Sequence, residues 1–333
     1  MKKALYYKKL DANKVQCELC PQMCVISEGK TGICFGRRNI GGELFAENYG
    51  HTISISMDPI EKKPLYHFYP GKDILSIGPN GCNLRCIFCQ NYHISQQISP
   101  TKKITPEELL KYCEQTGSIG VAYTYTEPLI WYEFIYDSAK LLHENGKIAV
   151  LVTNGTINEE PLREILPLID AMNIDLKAFT DEFYKKYCSG FLEAVKNTIK
   201  ISSRFKVTHI EITDLIIPDL NDSKEEIQNL VDFIAEIDNE IPLHFSRYFP
   251  AYKLNKPSTP ASTLQSTYEI AKKKLKYVYV GNISLSHTSD TFCPNCGELL
   301  IKRGGFYSDI VNMNGENRCK NCNYLIKGVH LFA

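Results

Sequence analysis

Residues 81–91 read GCNLRCIFCQN, and in them Cys82, Cys86 and Cys89 form a C-x3-C-x2-C array. The array follows a short apolar run, ILSIG at 74–78, that has the length of a strand. Three thiolates this close in sequence can hold three irons of a [4Fe-4S] cube, whereas a closed cluster or a structural zinc takes four protein ligands. The remaining iron is then open to chelate a small molecule. The competing reading is a three-cysteine zinc site completed by His93 or a distant residue; the strand-plus-loop setting speaks for the cluster.

With an aromatic, Phe88, just before its last cysteine, the array resembles the signature of the radical S-adenosylmethionine (SAM) enzymes. The resemblance implies that the amino and carboxylate groups of SAM occupy the open iron. It also implies an α/β fold, a partial (β/α)6 TIM-type barrel.

Working outward, the chain agrees with that fold. From Ile74 onward, apolar runs of strand length alternate with helical stretches, as in successive βα units around a parallel sheet. The expected strands are 74–78, 121–125, 147–153, 171–177, 205–213 and 242–246. Thr105-Pro106-Glu107-Glu108 opens one helix, Glu144-Asn145-Gly146 closes another, and residues 221–226, NDSKEE, cap a third. A helix over 262–274 and a strand over 277–280 follow, the latter without an assigned neighbour.

The 333 residues suffice for a large α/β domain with appendages: an N-terminal segment and connector (1–70), the barrel (71–288) and a C-terminal segment (289–333). Lys plus Arg (38) balances Asp plus Glu (38), so no global field draws in nucleic acid or an anionic membrane. The basic N-terminus leads into no apolar segment, and no run approaches the roughly 18 residues of a membrane span. A cytoplasmic protein is expected.

The 13 cysteines fall into groups of four, three and four, with Cys113 and Cys188 left over as expected packing residues. Such spacing indicates metal in a reducing compartment. Cys17, Cys20, Cys24 and Cys34 lie in a glycine-containing segment poor in apolar residues that a metal could knit together; tight paired cysteines flanked by Gly and Pro favour zinc, with an auxiliary Fe-S cluster the alternative. Cys293 and Cys296, then Cys319 and Cys322, make two C-x2-C knuckles 22 residues apart, the pattern of a zinc ribbon. No basic cluster with interleaved aromatics surrounds the ribbon, so a structural or docking role is expected rather than nucleic-acid recognition.

In parallel βα folds the active site lies beyond the carboxyl ends of the strands. After the second expected strand come Tyr125, Thr126 and Glu127, where the radical SAM fold has a Gly-Gly-Glu-Pro motif that contacts the SAM ammonium; here Tyr and Thr replace the glycines. Glu127 before Pro128 also reads as an acid favoured by the helix dipole. Asn154, in Thr153-Asn154-Gly155, suits the ribose or carboxylate of a nucleoside cofactor. Asp175 and Lys177 put opposite charges on one face of a strand end, suited to an amino-acid-like ligand or to an ordinary ion pair. His209, Glu211, His244 and Arg247 are candidates for a substrate pocket, though such histidines are often core residues.

Asp-Leu-Lys and Thr-Asn-Gly look like positions of the pyruvate formate-lyase activating enzyme group. The N-terminal cysteine segment, the connector DPIEKKPLYHF, the array, HFSRYFPAY and the ribbon together are similar to the radical SAM component of the AmmeMemoRadiSam system, over nearly the whole chain. That likeness implies reductive cleavage of SAM to methionine and a 5'-deoxyadenosyl radical that abstracts hydrogen, an external electron donor of the flavodoxin or ferredoxin type, and AMMECR-type and Memo-type partners. A glycyl-radical-enzyme activase is the alternative within the same chemistry. A zinc-rich scaffold or nucleic-acid adaptor is the alternative outside it.

Overall fold

The computed structural model describes residues 1–205 and 207–328. Eight strands form one sheet in simple chain order. Labelled β1 to β8, they are Ser54–Pro59, Asp73–Gly78, Gly120–Tyr123, Ile148–Thr153, Ala171–Asp175, His209–Ile216, Leu243–Arg247 and Val278–Gly281. β1 is antiparallel to β2, and every later neighbour pair is parallel. Each parallel step needs a crossover, supplied by the helices Pro106–Gln115, Tyr132–Glu144, Glu159–Ile165, Leu192–Ser202, Lys224–Ile237 and Ala261–Lys272. β1 and β8 have no further strand beside them among the described residues, so the barrel is open.

The helices cover the outer face of the sheet, which is why β2 to β5 read as nearly continuous apolar runs rather than alternating ones. Pro106–Gln115 starts with a full capping box between Thr105 and Glu108. Lys224–Ile237 is capped by Ser223, whose hydroxyl accepts from the Glu226 amide.

The six expected βα units are present, with three differences. β6 begins at His209 rather than 205, because the chain first turns: Thr208 N donates to the Phe205 carbonyl, and its hydroxyl to those of Leu166 and Ile169. The strand expected over 277–280 forms at Val278–Gly281 as a seventh parallel strand, β8. Residues 54–59, expected in the N-terminal segment, join the main sheet as its antiparallel edge, so the sheet begins before residue 71.

The strands' amino ends form a floor that the ribbon strands Thr291–Phe292, Leu299–Gly304 and Tyr307–Ile310 cover. Tyr66, Tyr277 and Tyr279 pack there against Leu300, Ile301 and Met313. Among the described residues no helix is long and apolar enough to cross a membrane.

Candidate functional site

The cysteine array leaves β2 through two glycines that nothing larger could replace. A Cβ on Gly78 would stand 2.1 Å from the Thr124 carbonyl oxygen, and one on Gly81 (φ +95°) 1.9 Å from that of Cys34. Beyond them, donors gather on the sulfurs. The Leu84 amide lies 3.3 Å and the Asn154 side-chain nitrogen 3.5 Å from Cys82 Sγ, and Ser95 Oγ lies 3.2 Å from Cys89 Sγ. Cys86 is pinned between two backbone bonds, Arg85 N to the Cys188 carbonyl (2.7 Å) and Ile87 N to that of Tyr187 (3.0 Å). Its partner segment, Tyr184–Cys188, is a single π-helical turn, an arrangement frequent at functional sites.

Burial pushes the Cys82 and Cys89 thiols up, and the neighbouring Cys188 thiol with burial does the same to Cys86. Three thiols, Cys86 buried and the other two half-buried, with donors aimed at two of their sulfurs, suit a cationic cluster that takes them as thiolates. Cys188 is thus a neighbour of the array. Cys113 fits the packing reading, its thiol reaching only the carbonyls of Ser118 and Gly120.

The three cysteines open into a cleft of about 240 Å³ at the carboxyl ends of the strands. Phe88, Tyr125, Thr126, Asn154, Asp175 and Lys177, named from sequence, all line it. Lys177 Nζ lies 2.8 Å from Asp175 Oδ2. Burial opposes the ammonium, yet Asp175 and Cys86 hold its pKa well above the usual value. Tyr125 adopts a left-handed φ of +71°, fixed by its hydroxyl on Asp58 (3.0 Å) and by Asn91, which donates to its carbonyl (2.6 Å). Thr126 Oγ1 donates to the Pro79 carbonyl.

Glu127 does not line the cleft. As N-cap of the turn Pro128–Trp131 it points inward, where one oxygen accepts from Leu129 N (2.9 Å) and Thr153 Oγ1 (2.7 Å) and the other from Asn154 N (2.7 Å). It braces the end of β4 from behind, and burial pushes its pKa up to about 7.

His209, Glu211 and His244 lie at the opposite end of the barrel from the cysteines. The register pairs His209 with Ala171, the first residue of β5, so this face of β6 belongs to the floor. Glu211 accepts from the amides of Tyr66 (3.0 Å) and His67 (2.8 Å), and His209 Nε2 (3.0 Å) and His244 Nε2 (2.6 Å) flank it. Burial opposes its charge, but the two imidazoles keep its pKa well below the usual range. Arg247 stands at the correct strand end and still misses the cleft: its Nε donates to the Thr259 carbonyl (2.9 Å) and its guanidinium covers the Phe249 ring. Ser246, pointing the other way along β7, lines the cleft instead, with Asn282 donating to its hydroxyl (2.8 Å). Asn91, Thr213, Ser246 and Asn282 were not anticipated from sequence; strand alternation would have found Ser246 once Arg247 was placed outside.

In the ribbon, Cys293 and Cys322 sulfurs lie 3.5 Å apart and those of Cys296 and Cys319 3.7 Å, with all four within 4.8 Å of one another. A single ion can be held there. The N-terminal four-cysteine segment packs against the barrel through a buried ion pair, Arg37 to Glu133, at 2.6 Å.

Comparison with known proteins gives the family and the fold. The Radical SAM superfamily model matches residues 76–234. An uncharacterized protein of Methanocaldococcus jannaschii is 46% identical over 97% of this chain and 98% of its own. The pyruvate formate-lyase-activating enzyme of Clostridium pasteurianum is 33% identical over 48% of this chain and 68% of its own. Among solved structures, Streptococcus suis SuiB bound to precursor peptide SuiA matches with a TM-score of 0.51 and 18% identity, covering 67% of this chain and 51% of that one, a likeness of fold.

Proposed function

Because this chain belongs to the radical SAM superfamily, a superfamily of enzymes, we propose that Cys82, Cys86 and Cys89 hold a [4Fe-4S] cluster and that the adjoining cleft binds SAM. When bound, the pair supplies one-electron reductive cleavage of SAM to methionine and a 5'-deoxyadenosyl radical, which takes hydrogen from a substrate. The chain's own part is placement. Asp175 and Lys177 offer opposite charges to the ammonium and carboxylate of SAM, the carbonyls around Tyr125 and Thr126 accept from the ammonium, and Asn154 reaches a ribose or carboxylate oxygen. Phe88 and Leu84 supply apolar wall, which keeps water from a reactive carbon radical. The observation that carries this reading is the convergence of all three cysteines and the Asp175–Lys177 pair on one cleft at the strand ends.

Anaerobic incubation of the iron-reconstituted protein with SAM and dithionite tests it. Formation of 5'-deoxyadenosine by the intact protein and not by Cys86→Ala is expected; intact cluster without cleavage, also after addition of a flavodoxin- or ferredoxin-type donor and the partners named below, defeats it.

The resemblance over the whole chain supports a place in the AmmeMemoRadiSam system, with AMMECR-type and Memo-type partners. Kinship with the C. pasteurianum activating enzyme supports the second reading, a glycyl-radical-enzyme activase, which a glycyl radical on a co-incubated partner would identify. Membership of an enzyme superfamily speaks against the scaffold alternative. Zinc in the ribbon, a cytoplasmic location and a division near residue 289 complete the proposal, supported by the sulfur spacing, the metal-type cysteine usage and the separate ribbon sheet.

A further inference from the structure

Spacing alone lets Cys17, Cys20, Cys24 and Cys34 take either zinc or an iron-sulfur cluster, but their positions in space separate the two. A tetrahedral zinc with Zn–S bonds of about 2.3 Å holds every pair of its sulfurs about 3.8 Å apart. The ribbon cysteines gather in that way, all four within 4.8 Å. Among the described residues no three of the N-terminal sulfurs do, and neither do the three of the array. A cube of four irons needs this wider spread, since each thiolate stands outward of its own corner.

The backbone nonetheless gathers the four into one small segment. Cys17 donates its amide to the Cys24 carbonyl (2.9 Å), Cys20 opens the tight turn between them by accepting from Met23 N (3.1 Å), and Cys24 Sγ lies against Gly32, two residues before Cys34. A second observation points to an acceptor among them. Arg37 is 1% exposed and its charge acts on Cys17 and Cys34, yet its Nε–H has no hydrogen-bond partner. A buried Nε–H without a partner, beside Cys17 and Cys34, fits a sulfur-rich anion.

We propose that Cys17, Cys20, Cys24 and Cys34 bind a second [4Fe-4S] cluster, with Arg37 Nε donating to it, and that zinc is confined to the ribbon. The Cys34 end of this segment abuts the array, its carbonyl lying against Gly81.

Metal and sulfide analysis of anaerobically prepared protein tests this independently of SAM chemistry. The full chain should carry about eight irons and one zinc. The Cys82→Ala/Cys86→Ala/Cys89→Ala variant should keep about four irons with matching sulfide and show a reduced-cluster EPR signal. Should that variant not fold, Cys20→Ala/Cys34→Ala in the otherwise intact chain should lose about half of the iron and no zinc. Two zincs with only about four irons in the full chain, or an iron-free triple variant that folds, overturns the proposal.

Discussion

Lys177 keeps its charge inside the protein because Asp175 sits 2.8 Å from it. Replacing it by methionine leaves a carboxylate with no cation at the mouth of the cleft. Lys177→Met should weaken SAM binding about 10- to 100-fold, or about 1.4–3 kcal/mol, measured by equilibrium dialysis on the iron-loaded protein; unchanged affinity removes Lys177 from the site. Glu127→Gln should do the opposite. It gives up an acceptor for buried donors and costs about 1–3 kcal/mol of stability, with SAM affinity within a few-fold of the original. The pH dependence has a definite sign. Burial raises the Glu127 pKa in the fold from 4.5 to about 7, so folding favours its protonated form. Its unfavourable contribution is absent below pH 4.5, grows as pH rises and is complete above about 7. Denaturant unfolding at pH 5 and 7.5 should show Glu127→Gln losing less stability over that interval than the natural chain. Asp175 and Lys177 were legible because charges two apart at the end of an apolar strand share a face. Glu127 was not, since an acid before proline serves a ligand or a buried cap equally well in sequence.

β6 shows what an element's own pattern omits. HIEIT alternates as a strand should, so the common face of His209 and Glu211 is readable, but only the neighbouring strand tells which end of the barrel that face reaches. Pairing with Ala171 sends it to the floor. There Glu211 joins β6 and β7 to the connector at Tyr66 and His67, four partners on one carboxylate. Its loss strands two amide donors and two imidazoles, and breaking a buried pair of this kind costs about 3–5 kcal/mol. Glu211→Ala should therefore lower the urea midpoint sharply, while iron bound per folded chain at the array stays as in the natural protein. A loss of iron without a loss of stability would mean that Glu211 acts on the cleft. The π turn Tyr184–Cys188 had no comparable signal: its residues are compatible with an ordinary helix, and only the pairing of residues 85 and 87 with 187 and 188 reveals its contact with the array.

At the scale of the molecule, the cysteine arithmetic separated three groups before any contact was known, and the alternation of apolar runs separated the barrel from its flanks. Residues 51–57, HTISISM, alternate as a strand should, but that β1 joins the barrel was not legible, because only its antiparallel pairing with β2 across the connector puts it on the main sheet. The ribbon's position also had to be seen: it lies on the floor, at the end of the barrel away from the array. Arg303 fastens it, donating to the Tyr66 carbonyl (2.5 Å) and Thr291 Oγ1 (2.7 Å) with its guanidinium 4.3 Å from the Tyr66 ring centre. Metal in the ribbon should thus govern the stability of the floor and not the chemistry above it. Cys296→Ser/Cys319→Ser should lose about one zinc, lower the melting temperature by several degrees and admit protease within residues 291–328, because a segment this small cannot hold its core without the ion. Formation of 5'-deoxyadenosine per folded chain should stay within a few-fold of the natural rate. If it vanishes while the array keeps its iron, the ribbon is coupled to the cleft through the strands, and the two ends of the barrel act as one unit.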